Sequence, residues 1–304
     1  PSEGMAPSRA GKACFFSLEG VPIVAETANQ TLYRQELIEA FERRKAMLEP
    51  RVTTDGIVSG SNFVFLVSGS GGATAVTRGA NGLIPGRAND DVQTTCALAE
   101  YHDKPTTTKF NIFAGQAGAA RRAALQTEST AVINRQADDL IIDALEASTL
   151  YAGLTAETLS PAKALHAITV VTNSNAVMSA NDVTGLISPA AHAYLSQNAL
   201  ISSKDYVDSS MLPGMPMMFR WVGATWMVHT ALPGNGTSSE RLFVFHRAAI
   251  GLAKDRAGLD MAAGFNDENA YYYARCSMHM GAKLLQNTGV CSIRHDGSGY
   301  ASTA

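Results

Sequence analysis

No apolar run in this chain approaches the roughly 20 residues that a membrane-spanning helix needs, which excludes crossing a bilayer by a helix. The opening stretch PSEGMAPSRAGKAC has no apolar core of the signal-peptide kind, and Pro1 is expected to follow a removed initiator Met. There are four cysteines, Cys14, Cys96, Cys276 and Cys291. None forms a CxxC pair and no His stands at zinc-ligand spacing from them, so buried reduced thiols are expected. Charge is sparse: 17% of residues are charged, against about 25% in an average soluble protein. Interfaces are depleted in Lys, Glu and Asp, so this scarcity suits a chain whose surfaces face other protein. The net charge of −3 and pI near 6.2 argue against direct coating of nucleic acid. Catalytic signatures are missing as well. No GK[ST] follows the glycine-rich stretch, and neither HExxH nor GxSxG occurs.

What is present is enough apolar material for a core. The 304 residues are 46% hydrophobic, sufficient for one large domain or two modest ones. Residues 1 to about 28 are rich in Ser, Gly and Pro and read as an extended arm. From Asn29 to Glu49, Leu32, Tyr33, Leu37, Ile38, Phe41 and Leu48 share one helical face, with Asn29 as N-cap and Pro50 as stop. Phe63, Phe65 and Val67 then alternate with Val64, Leu66 and Ser68. Turn-rich sequence follows through Gly72, Thr74 to Arg78 and Gly86, predicting a long β-hairpin too poor in apolar residues to form its own core. The longest helical pattern runs from Gln116 to about Gly153, through Leu125, Val132, Ile133, Leu140, Ile141 and Leu145. Beyond it, Ile168 to Val171 reads as a short buried strand. Ser188-Pro189 is a helix start, with Ser as N-cap and Pro at the first helical position. Ser202 or Ser203 would cap a short turn. Met217 to Val228 is strand-like and broken at Gly223. Leu242 to Phe245, Ala270 to Met280 and Val290 to His295 are further strands.

Each residue group that could carry chemistry has a plainer structural reading. Ser68-Gly69-Ser70-Gly71-Gly72 lacks the lysine and helix of a phosphate loop and reads as a hairpin tip. Asp139, Asp143 and Glu146 share a helix face near Asp138 and could hold a divalent cation. With no second acidic cluster, a solvated or interface-paired face is the expectation. The seven histidines (His102, His166, His192, His229, His246, His279 and His295) form no ligand set, and His295-Asp296 lacks a nucleophile. His229, on an otherwise apolar strand, is the one candidate for a pH-dependent role. Trp221, Trp226 and Tyr271 to Tyr273 have no basic residues interleaved for base stacking, so packing is expected. Met211, Met215, Met217 and Met218 read as adaptable contact or core filler. The site expectation is therefore that no catalytic, cofactor-binding or metal-binding residues exist and no cofactor is needed.

The phrases FRWVGATWMVHTALPG and FHRAAIGLA, within Leu186 to Asp296, resemble the major capsid proteins of tailed bacteriophages, the family with the HK97-type shell fold. The order of segments is similar over nearly the whole chain. The resemblance implies an α+β fold divided into an N-terminal arm and helix (1–50) and an extended β-hairpin loop (51–104). A peripheral domain with a spine helix (105–164), an axial domain (165–228) and return strands mostly joining the peripheral domain (229–304) complete it. It implies a non-enzymatic protein that assembles with itself into hexamers and pentamers of an icosahedral shell. That shell would enclose double-stranded DNA without sequence-specific binding and work with portal, scaffolding and decoration proteins, in the virion after assembly in the host cytoplasm. Some members cross-link subunits through a loop Lys. Here no Lys lies between Lys45 and Lys104, so non-covalent contact is expected to hold the shell. Two rivals remain at this point: an encapsulin-like nanocompartment of the same fold enclosing a cargo enzyme, and a soluble α/β enzyme.

Overall fold

A computed structural model describes residues 43–300, apart from 60, 70–72, 80, 83, 85, 87–89, 109–117, 154–156, 175–181, 199–217 and 256–257. The expected arm, most of the expected first helix, Cys14, the Ser202/Ser203 turn, the hairpin tip at Ser70 to Gly72, and Met211, Met215 and Met217 lie outside the described residues. In chain order the elements are β1 (Ile57–Ser59), β2 (Asn62–Gly69), β3 (Asp90–Ala97), β4 (Ala99–Asp103), β5 (Thr106–Thr108), α1 (Gly118–Glu146) and α2 (Pro161–Thr172). They continue with β6 (Val183–Ile187), α3 (Pro189–Gln197), β7 (Met218–Trp221), β8 (Ala224–Val228) and β9 (Glu240–His246). The last are β10 (Ile250–Lys254), β11 (Asp260–Asn266), β12 (Tyr271–Leu284) and β13 (Val290–His295).

Among the described residues the strands form three sheets. The first is an antiparallel ribbon, β1-β2-β3, with Phe63 opposite Cys96 and Phe65 opposite Thr94. The second is built on the long strand β12, which pairs with β10, β11, β4 and β5. The third has the order β13-β9-β6-β8-β7, with β6 and β8 parallel and the other pairs antiparallel. Central strand β6 is buried throughout, as a parallel-paired strand covered on both faces must be. The ring of Trp226 lies over Gly185, where a Cβ would come within 2.4 Å of it.

Helix α1 joins these layers. Its middle places Ile133 and Ala137 against Cys276 and Met280 of the β12 sheet. Its C-terminal turns send Ile141, Ile142 and Leu145 into the main core with Leu48, Leu186, Phe243, Phe245 and Leu252. At 29 residues it is roughly 44 Å long for a rise of 1.5 Å per residue. The ribbon is rooted where Phe63, Phe65 and Cys96 pack on Ala253.

The structure corrects several expectations. Residues 43–48 are not helical. Two of their backbone N–H groups, from Met47 and Leu48, bind a side chain of α1 in place of a helical ladder. The hairpin returns through Asp90–Ala97, with a cross-strand register that runs from Asn62↔Ala97 to Gly69↔Asp90. Helix α1 stops at Glu146, short of Gly153. There Leu150 and Ala152 pair with Ser292 instead and extend the third sheet beside β13.

Ile168 to Val171 belongs to helix α2, not to a strand. Ser160 caps it through Lys163 N, Pro161 occupies its first turn, and Ala164, Ala167, Ile168 and Val171 form a buried stripe at helical spacing. The expected division at residue 228 falls between β8 and β9, which both pair with β6. Of the later strands, β9 and β13 lie in that same sheet, while β10, β11 and β12 lie with β4 and β5. Strand β4, expected in the loop, also pairs with β12. The helix start at Ser188-Pro189 is as expected, with Ser188 accepting from Ala191 N at 3.0 Å. So is the break at Gly223, where Val222 (φ 50°) and Gly223 (φ 71°) turn β7 into β8.

Candidate functional site

The ribbon carries exposed apolar side chains that nothing within the described chain covers. Strand alternation turns Phe63 and Phe65 inward and leaves Leu66 64% exposed. Val92 on the facing strand, and Val76 and Ile84 in the connection, are exposed as well. Its root depends on a glycine: a Cβ on Gly251 would come within 2.6 Å of the Phe65 ring.

A second feature is a buried charge node at the meeting of residues 43–48, α1 and the end of β8. Asp138 is fully buried and His229 is 1% exposed. The Asp138 carboxylate accepts from Met47 N at 3.0 Å and from Leu48 N at 3.0 Å. Arg43 Nε stands 3.5 Å from Asp138 Oδ2, and His229 Nε2 stands 3.6 Å from the same oxygen. Arg43 also contacts His229 Nε2 closely, and Ala231 N donates to His229 Nδ1 at 3.3 Å. Burial alone would push the Asp138 carboxyl up. The His229 bond, the two backbone N–H groups and the Arg43 charge outweigh it and hold the group below its usual value. The adjacent Asp139 is pushed up by burial.

A third feature is the pair Glu240–His295, both fully buried on opposing positions of β9 and β13. Leu159 N donates to His295 Nδ1 at 2.9 Å, which makes Nδ1 the acceptor and leaves the ring proton on Nε2, 3.8 Å from Glu240 Oε2. Burial pushes the Glu240 carboxyl up, opposed by the Ser188 hydroxyl, and pushes the His295 imidazole down.

The structure thus gathers some of the sequence candidates and disperses others. His229 is joined to Asp138 and Arg43, partners 91 and 186 residues away that no local pattern announces. On α1, Asp143 is exposed and Asp139 and Glu146 are half-buried, while Asp138 points the other way into the core. Asp296 is not the partner of His295 in a catalytic array; it binds Ser298, which lowers its carboxyl value. His102 lies 3.9 Å from Glu100 and His279 lies 3.6 Å from Asp255, both at the surface. His192 is half-buried beside Phe219, His246 binds Ala248 N, and His166 is exposed.

Trp226 is fully buried, stacks on Phe219 and donates to Trp221 O, so its face is closed to a base. Tyr272 packs on Phe265, and Lys104 sits over Tyr271 and Tyr273. Cys96, Cys276 and Cys291 are buried and free, and burial pushes the Cys291 thiol up to about 12. Among the described residues, no group of three His, Cys, Asp or Glu is placed to hold a metal ion. The Glu240 side of its pair had no signal in the sequence beyond an acidic residue opening an apolar strand.

A family model described as phage capsid protein matches residues 25–297. No curated protein matches the chain. Among solved structures it is similar to the capsid of cyanophage P-SCSP1u, with 16% identity, a TM-score of 0.64, and coverage of 86% of this chain and 91% of that one. It is also similar to the head of Helicobacter pylori bacteriophage KHP40, with 9% identity, a TM-score of 0.63, and coverage of 85% and 92%. For Mycobacterium phage Che8 the identity is 18%, the TM-score 0.59, and the coverage 76% and 84%. At such identities the likeness is one of fold, and that fold is the HK97 type. The cargo-enclosing compartment finds no support in the family model or in these neighbours.

Proposed function

Because the chain belongs to the phage capsid protein family, a structural family, we propose that it assembles with itself, as hexamers and pentamers, into the icosahedral shell around phage double-stranded DNA. The observation that carries this reading is the ribbon β1-β2-β3. Its outer side chains, Leu66 and Val92, have no cover within the described residues, and a ribbon packed on the rest of the chain only at its root gains stability from a neighbour that covers them. A sister subunit supplies that cover, so folding of the ribbon is tied by mass action to assembly. The contact is heterologous, the ribbon of one copy lying on a different surface of the next, and such contacts close into rings.

In this reading α1 is the spine, the sheet around β12 with α1 is the peripheral domain, and the β13-β9-β6-β8-β7 sheet with α2 and α3 is the axial domain. The shell is held without isopeptide cross-links from the ribbon, since Arg51 to Asp103 contains no Lys. It has no catalytic duty. Portal, scaffolding and decoration proteins are the expected partners in the host cytoplasm, and the virion is the final location. The test is the content of particles built from this chain in a phage-producing host. Nuclease-protected double-stranded DNA of uniform length is the expected result. Particles that hold folded protein cargo and no DNA would overturn the reading.

A further inference from the structure

His229 sits where three parts of the chain are tied together. The groups facing its ring from neighbouring elements are Arg43 from the segment before β1 and Asp138 from α1, with Asp139 one residue further on and within electrostatic reach. Its own connection supplies the Ala231 N–H on Nδ1. Both ring nitrogens therefore face donors, an arginine and a backbone amide. A neutral imidazole has one lone pair to offer and can accept from one of them. An imidazolium has none, because both its nitrogens are donors. The one acceptor within reach of a charged ring is Asp138 Oδ2, 3.6 Å away, the oxygen that Arg43 also approaches at 3.5 Å.

We infer that His229 is a proton-operated joint: once charged, its ring can no longer accept from Arg43, keeps Asp138 as its partner with a full positive charge and expels Arg43, loosening the tie between residue 43, α1 and the five-stranded sheet. Three observations support this geometry. Asp138 is completely buried, so the competition between two cations for it is not relieved by water. Arg43 Nε is buried without a hydrogen-bond partner, so its hold on the node is already incomplete. Asp138 is held below the ordinary carboxylate range and stays ionised while a histidine charges, so the contested anion persists. Met47 N and Leu48 N stay on Asp138, and Asn134 Nδ2 stays on Arg44 O at 2.9 Å. The joint therefore frees the Arg43 side chain while the backbone after it remains docked.

The experiment measures the melting temperature of assembled particles bearing Arg43→Met, His229→Gln, both or neither, at about pH 8 and about pH 5, the span over which histidines change charge. The expected result is that Arg43→Met lowers the melting temperature at the higher pH and has less than half that effect at the lower one. In the His229→Gln background the Arg43→Met loss is then the same at both. An Arg43→Met loss that is independent of pH with His229 present would overturn the inference, and so would an equal acid dependence in the His229→Gln background. If His229→Gln yields no particles, density maps of wild-type particles at the two pH values decide. Arg43 ordered on Asp138 at the higher pH and displaced at the lower supports the joint. Arg43 unmoved overturns it.

Discussion

Glu240 and His295 face each other with His295 Nε2 and Glu240 Oε2 3.8 Å apart, too far for a hydrogen bond between them. Burial raises one group and lowers the other, so the neutral acid and the neutral base are both favoured. The stability that Glu240 contributes as a raised carboxyl is complete below its unfolded value and is lost as pH rises through the raised folded value. His295, lowered, contributes stability that is present above its unfolded value and lost as pH falls through the lowered one. Glu240→Gln removes only the alkaline loss. Melting of the variant is expected above wild type at neutral and alkaline pH, with the gap closing on acidification; a gap of constant size would contradict the assignment. At this scale the sequence was informative where a residue's role is local. Ser188 reads as an N-cap because its partner is three residues on. His229 could be singled out because an ionisable ring on an apolar strand is unusual, but Arg43 and Asp138 come from elsewhere in the chain and only the fold brings them to it.

Among the elements, α2 shows how a local signal can be misread. Its core Ile168-Thr169-Val170-Val171 is β-branched and looks like a strand. The Ser160-Pro161 start and the buried stripe from Ala164 to Val171 win because the stripe seats the helix on the sheet of β13 and β9. Ser160→Ala is therefore expected to cost about 1 kcal/mol in denaturant unfolding, the value of a lost N-cap. Strand β6 went unread for a related reason, since its five residues alternate with nothing and are buried on every side. The long helix was legible because twenty-nine residues of one period outweigh any local ambiguity. Its end was not, because Leu150 and Ala152 are claimed by Ser292 from far along the chain. The ribbon's root is the most sensitive element contact. Gly251→Ala drives a methyl into the Phe65 ring and is expected to cost about 2 kcal/mol as overpacking, while Phe65→Ala leaves a void and costs about 3 kcal/mol. Both losses are read from particle melting. An unchanged midpoint in both variants would mean that the ribbon does not bear on β10.

For the whole molecule, the order of segments could be read from the sequence but their grouping into sheets could not. The chain leaves the third sheet after β9, builds β10, β11 and β12 into the second, and returns through β13. A reading that proceeds along the chain assigns those strands to one unit, and the hydrogen-bond register divides them between two. Among the described residues the ribbon has no cover for Leu66 and Val92. The central claim is that this cover comes from sister copies, so Leu66→Asp is expected to abolish shells while leaving the helix and strand content of the chain unchanged by circular dichroism. The most direct measurement is negative-stain imaging of the purified wild-type chain at high concentration, alongside its sedimentation. Rings or closed shells, with little free monomer, are the predicted result. A compact, soluble monomer that stays dispersed at that concentration would contradict the account.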